Sequence, residues 1–144
     1  VKKAAFICLD PGISTGMAAI SDPDGYLIAT ATWQPDNLRV SLDTLIRALH
    51  LEGFRLTAVV EQMPHVGKNS QLERDLEAVR HDIVDVLDIY DLLVLRITPG
   101  EWKPSRIAKT AVIPKEHDGK KLTVHQKDAI KMGAYALERK YRAK

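Results

Sequence analysis

Apolar and polar positions along the chain change period several times, and each change marks an element. Ala4 to Leu9 (AAFICL) is an unbroken apolar run of strand length, stopped by Asp10-Pro11-Gly12. A run without alternation reads as a strand buried on both faces, and Pro and Gly end it. Thr15 to Ile20 and Tyr26 to Thr32 flank Ser21-Asp22-Pro23-Asp24-Gly25, a turn in which Pro sets φ and Gly accepts a positive one. Three strands in a meander are therefore expected. Ser41 is a candidate cap for a helix in which Leu42, Leu45, Ile46 and Leu49 recur at helical spacing before Gly53. Leu56 to Val60 makes a fourth strand ending in Glu61, and Pro64 and Gly67 break the chain behind it.

Ser70-Gln71-Leu72-Glu73 has capping-box spacing, and Leu72, Leu76, Val79, Ile83 and Leu87 lay an apolar stripe along the following helix. That helix carries more apolar positions than one sheet face requires, among them Ile83, Val84, Val86 and Ile89, which points either to a dimer contact or to deeper burial. Leu92 to Ile97 is a fifth strand closed by Thr98-Pro99-Gly100. From Glu101 to Leu122 periodicity is poor, and an irregular loop is expected there. Thr123-Val124-His125-Gln126 caps a last helix running to about Lys140. The order βββαβαβα predicts an α/β fold, a five-stranded mixed sheet with helices on both faces, its parallel part formed by strands one, four and five.

At 144 residues, 45% hydrophobic and 28% charged, the chain is expected to be a single domain, residues 1–144, with a core of its own. Nothing approaches eighteen consecutive apolar residues, so neither a membrane anchor nor secretion is expected. The single cysteine, Cys8, excludes an intramolecular disulfide and a cysteine-based zinc cluster, and a reducing cytoplasm fits best. The net charge of +2 hides an asymmetry. Residues 1–99 hold nine Lys/Arg against fourteen Asp/Glu, a net −5, whereas residues 100–144 hold twelve against five, a net +7. Such a basic region is either a solvated tail or a surface that attracts phosphates and steers a polyanion.

A carboxylate at the end of an apolar strand is costly to bury unless it is paired, hydrogen-bonded or bound to a cation. Asp10 and Glu61 both stand at such ends, on strands expected to be parallel, so both emerge at the edge where open α/β sheets hold their ligands. Taken singly, Asp10 is equally a turn-forming residue and Glu61 a solvated strand end. In the last helix His125 and Asp128 lie three residues apart and share a face with Ala129, Met132, Gly133 and Ala136, whose small size permits close approach to the sheet. Singly these read as a core-edge histidine and as an acid favouring the helix N-terminus. Together, three acids and a histidine match the oxygen-rich shell of Mg²⁺ or Mn²⁺. Two such ions about 4 Å apart stabilise the attacking and leaving oxygens of an in-line displacement at phosphorus, and Asp10 is the candidate bridge between them.

These residues resemble the RuvC-type Holliday junction resolvases, a branch of the RNase H-like nuclease superfamily. Leu9-Asp10-Pro11-Gly12 with Thr15-Gly16 is similar to that family's first-strand motif, Val59-Val60-Glu61-Gln62 to its fourth-strand motif, and His125-Gln126-Lys127-Asp128-Ala129 to its C-terminal helix motif. The resemblance spans nearly the whole chain and is nearest to the short, phage-encoded form. It implies that Asp10, Glu61, His125 and Asp128 are the catalytic metal ligands for Mg²⁺ or Mn²⁺, two ions per site. It implies a homodimer cutting opposed strands of a four-way DNA junction, in a bacterial or phage-infected bacterial cytoplasm. His125 in place of the commoner Asp predicts that Mn²⁺ serves better than Mg²⁺. The segment from Gly100 to Leu122 departs from the family in being short and lacking a clear extra helix.

Met63, His65, Lys68 and Asn69 follow Glu61 and are candidates to contact an opened branch point, with Met63 alternatively capping the core. Trp102 either stacks on a base or plugs the sheet edge. Lys103, Arg106, Lys109, Lys115, Lys120 and Lys121 are candidates to neutralise phosphates. Two other readings compete. Asp10-Pro11-Gly12-Ile13-Ser14-Thr15-Gly16 also resembles the phosphate-binding hairpin of actin-like ATPases, which need a second domain of this size. A noncatalytic DNA-binding module would use the basic region alone.

Overall fold

The computed structural model describes residues 3–62 and 70–142. Five strands, Lys3–Asp10 (β1), Thr15–Asp22 (β2), Leu27–Trp33 (β3), Phe54–Glu61 (β4) and Leu93–Ile97 (β5), form one sheet in the order β3-β2-β1-β4-β5. The β1–β2 and β2–β3 pairs are antiparallel, and β1–β4 and β4–β5 are parallel. β1 is central, and every residue from Ala5 to Asp10 is buried, which is why its sequence is continuously apolar rather than alternating.

Pleating sends successive side chains of each strand to opposite faces. Ala5, Ile7 and Leu9 of β1 pack on one side with helix α1 (Pro35–Leu51) and helix α2 (Gln71–Ile89). Phe6 and Cys8 pack on the other with α3 (Pro99–Trp102), α4 (Arg106–Thr110) and α5 (Val124–Arg142). The helix face inferred from small residues is the one that docks. Ala129, Met132, Gly133 and Ala136 are buried, and a Cβ on Gly133 would press on the Ile20 side chain and lie 2.8 Å from the Cys8 sulfur. Among the described residues no helix is long and apolar enough to cross a membrane.

Three expectations need correction. Helix α1 begins at Pro35 rather than after Ser41, because Pro at the first helical position is pre-set in φ and lacks the N–H that would go unpaired there. Thr98-Pro99-Gly100 opens α3 instead of closing a turn, with Thr98 and Glu101 forming a capping box. The stretch from Glu101 to Leu122 is not irregular: it holds α4, capped by Ser105, and a hairpin of β6 (Glu116–His117) and β7 (Lys120–Lys121). Asp118 and Gly119 turn that hairpin at φ values of 52° and 77°, the left-handed pair a two-residue turn needs. Of the two readings of the extra apolar positions on α2, deeper burial holds for Ile83 and Val86, while Leu72, Val84 and Ile89 are exposed.

Candidate active site at the strand ends

Strand parity builds the site. Asp10 continues the alternation of Phe6 and Cys8, and Glu61 that of Val59, so both carboxylates fall on the face covered by α5. In the parallel β1–β4 ladder Leu9 stands beside Val60, and the next step brings Asp10 beside Glu61. Both are nearly enclosed, at 9% and 5% exposure.

Helix α5 supplies the third side. Its first turn is fixed by a capping box, in which the Gln126 N–H donates to the Thr123 hydroxyl (3.1 Å) and the Thr123 N–H to the Gln126 side chain (2.8 Å). The Gln126 amide, itself buried, also donates to the Thr30 hydroxyl of β3 (3.2 Å). Gly16 then decides how near the helix comes: a side chain there would overlap the His125 carbonyl and its Cβ. The result is His125 Nδ1 at 3.5 Å from Asp10 Oδ2, with the imidazole half exposed. Asp128 lies beyond the first turn of α5, where the helix dipole has little hold on it, and its charge acts on Asp10.

The electrostatics follow from crowding acids in a poorly solvated place. Burial raises the Asp10 carboxyl, the hydrogen bond with His125 opposes that rise, and the Asp128 charge adds to it. Glu61 is pushed up to about 7, chiefly by burial; the Trp102 hydrogen bond pulls it down and the Asp10 charge pushes it further up. The two carboxyls are neighbours at the ends of adjacent parallel strands, and each raises the cost of a charge on the pair. Among the described residues no three His, Cys, Asp or Glu side chains are spread as a ready-made cation shell. The donor chemistry nevertheless fits a hard dication: carboxylate oxygens with one imidazole nitrogen, in a place where the ionised acids lack compensation.

Trp102 takes the second of its two expected places, a plug at the sheet edge, and supplies a contact the sequence did not show. At 2% exposure it is no base-stacking platform, and its Nε1–H donates to Glu61 Oε2 at 2.6 Å. No local pattern announces a contact between residues 41 positions apart. Lys103 is exposed close by, and its charge lowers Glu61. Arg106, Lys109, Lys115, Lys120 and Lys121 are all exposed, the last two on the hairpin. Met63, His65, Lys68 and Asn69 lie outside the described residues. On the opposite face of the sheet a groove of about 370 Å³ runs from Glu61 along α2, lined by Val60, Ile83, Val84, Leu87 and Val94.

A central strand flanked by an antiparallel meander and two parallel strands, with acids at the carboxyl ends, makes an α/β fold with a five-stranded mixed sheet. No protein-family model matches the sequence, and no curated protein does. Among solved structures the chain is similar to Thermus thermophilus RuvC in complex with a Holliday junction substrate, with a TM-score of 0.68, 13% identity and 96% of each chain covered. It is also similar to a second Thermus thermophilus RuvC structure, with a TM-score of 0.66, 13% identity and the same coverage. At this identity the likeness establishes the fold.

Proposed function

We propose that this protein is a divalent-cation-dependent endonuclease that resolves four-way DNA junctions by nicking opposed strands. The observation that carries the reading is the approach of Glu61 and His125 to Asp10 at the strand ends, on the fold of a protein solved with a Holliday junction substrate. Asp10, Glu61, His125 and Asp128 would hold Mg²⁺ or Mn²⁺. Such ions supply Lewis acidity to the attacking and leaving oxygens of an in-line displacement. The chain contributes the rest. The first turn of α5 fixes His125, and Lys103 is exposed beside Glu61, where a phosphate would lie. Lys115, Lys120 and Lys121 extend a cationic path for a second arm of the DNA. Paired cutting requires two sites, and the exposed Val84 beside the apolar groove along α2 is where a second copy would pack.

The deciding experiment is cleavage of a synthetic four-way junction labelled in turn on each strand. Symmetric nicks are expected with Mn²⁺ and, more slowly, with Mg²⁺. Asp10→Asn and Glu61→Gln should each lower the rate by about 10³-fold, since the ions are asked for several kcal/mol. A folded wild type that cuts nothing with either ion defeats the proposal.

A further inference from the structure

The clearest unassigned contact is the buried bond between Trp102 and Glu61. An indole has one polar hydrogen, and here it is committed to Glu61 Oε2 at 2.6 Å inside the protein. The ring is rigidly held. It packs in a cluster with Ile97, Ala108 and Leu122, and its carbonyl accepts from the Ser105 hydroxyl at 2.6 Å. Glu101, one residue earlier, is tied to Arg139 of α5 at 3.1 Å, so α3 is braced against the helix that carries His125 and Asp128.

We propose that Trp102 is a positioning residue, whose N–H pins one oxygen of Glu61 and leaves the other directed toward Asp10 and the cation they share. This rests on the reading of Asp10 and Glu61 as cation ligands. Packing alone would be served by any ring of this size; orientation of the carboxylate needs the N–H. A ligand carboxylate left without its outer hydrogen-bond partner loses metal affinity by about 10–100-fold. Trp102→Phe separates the two roles, because it keeps a ring and deletes the donor.

The test is titration of Mn²⁺ alone, free ion read by electron paramagnetic resonance, into wild type, Trp102→Phe, Glu61→Gln and the double variant, with thermal melts in parallel. Trp102→Phe should weaken Mn²⁺ binding about 10–100-fold, and in the Glu61→Gln background the same change should matter less than about twofold. Unchanged affinity in folded Trp102→Phe, or an equal loss in both backgrounds, overturns the proposal. Should that variant fail to fold, the indole ¹⁵N–H resonance of Trp102 replaces it, assigned against Trp33→Phe since the chain has two tryptophans. It should shift in Glu61→Gln; an unmoved resonance overturns the proposal. Mn²⁺ binding that depends on Trp102 in a protein that cuts no junction would sink the nuclease reading and leave this inference standing. Junction cleavage with Trp102→Phe indistinguishable from wild type in Mn²⁺ affinity would do the reverse.

Discussion

Asp10 and Glu61 show how much a residue's surroundings decide. Each ends a strand whose other residues exist to be buried, so each acid is carried into a place where its charge is poorly solvated. Gly16 acts at the same scale. The Thr15-Gly16 pair reads as part of a motif, but the physical need is space: the backbone of His125 lies where a side chain would be. Gly16→Ala should cost about 1–3 kcal/mol, as overpacking of a tight contact does. It should lower Mn²⁺ affinity beyond what that loss of stability explains, because α5 must back away from Asp10. Thermal melts with Mn²⁺ titrations check both, and unchanged binding would show that the close approach is dispensable.

At the scale of elements, α5 is a bar clamped at both ends. Its N-terminus is capped and tied to β3 through Gln126 and Thr30, while near its C-terminus Lys140 Nζ lies 2.5 Å from Asp22 Oδ2 and the Tyr141 hydroxyl donates to the same carboxylate. Burial alone would raise Asp22, but the hydrogen bonds from Lys140 and Tyr141 outweigh it and hold its carboxyl below the ordinary 3.8. A depressed acid binds fewer protons folded than unfolded, so its contribution is fully present above pH 3.8 and lost as pH falls through the native value. Asp22→Asn should therefore lower Tm at pH 7 and make less difference at pH 3, read as the gap between the two melting curves. An equal gap at both pH values would remove the carboxylate from the account. The β6–β7 hairpin is the other element with a task. Replacing Lys120 and Lys121 by Ala should flatten the slope of log affinity for junction DNA against log salt by about one unit per lysine. An unchanged slope would place the DNA elsewhere.

For the whole molecule, the charge asymmetry of the sequence acquires a geometry. The basic C-terminal third holds α3, α4, the hairpin and α5, all on or beyond the face of the sheet that carries Asp10 and Glu61. The acidic helix α2 lies on the opposite face, away from a polyanion. If the proposed second copy packs along α2, Val84→Glu should shift the mass measured by light scattering from dimer to monomer and turn paired nicks into single ones. A wild type that is monomeric at working concentration would rule the contact out.

The five-stranded mixed sheet and its parallel strands one, four and five were legible before any coordinates, because period-two and period-3.6 burial are local consequences of pleat and helix geometry. The Asp118-Gly119 turn and the Thr98–Glu101 capping box are written in the sequence too, but the apolar pattern around them is too weak to single them out. Other features were beyond local reading. Trp102 reaches Glu61 across 41 residues, Gln126 reaches Thr30 across 96, and Gly16 matters only because His125 arrives beside it. Periodicity tells a chain which side of each element to bury; which buried groups then meet, and so which indole has a partner, is settled by packing between elements that carry no record of one another.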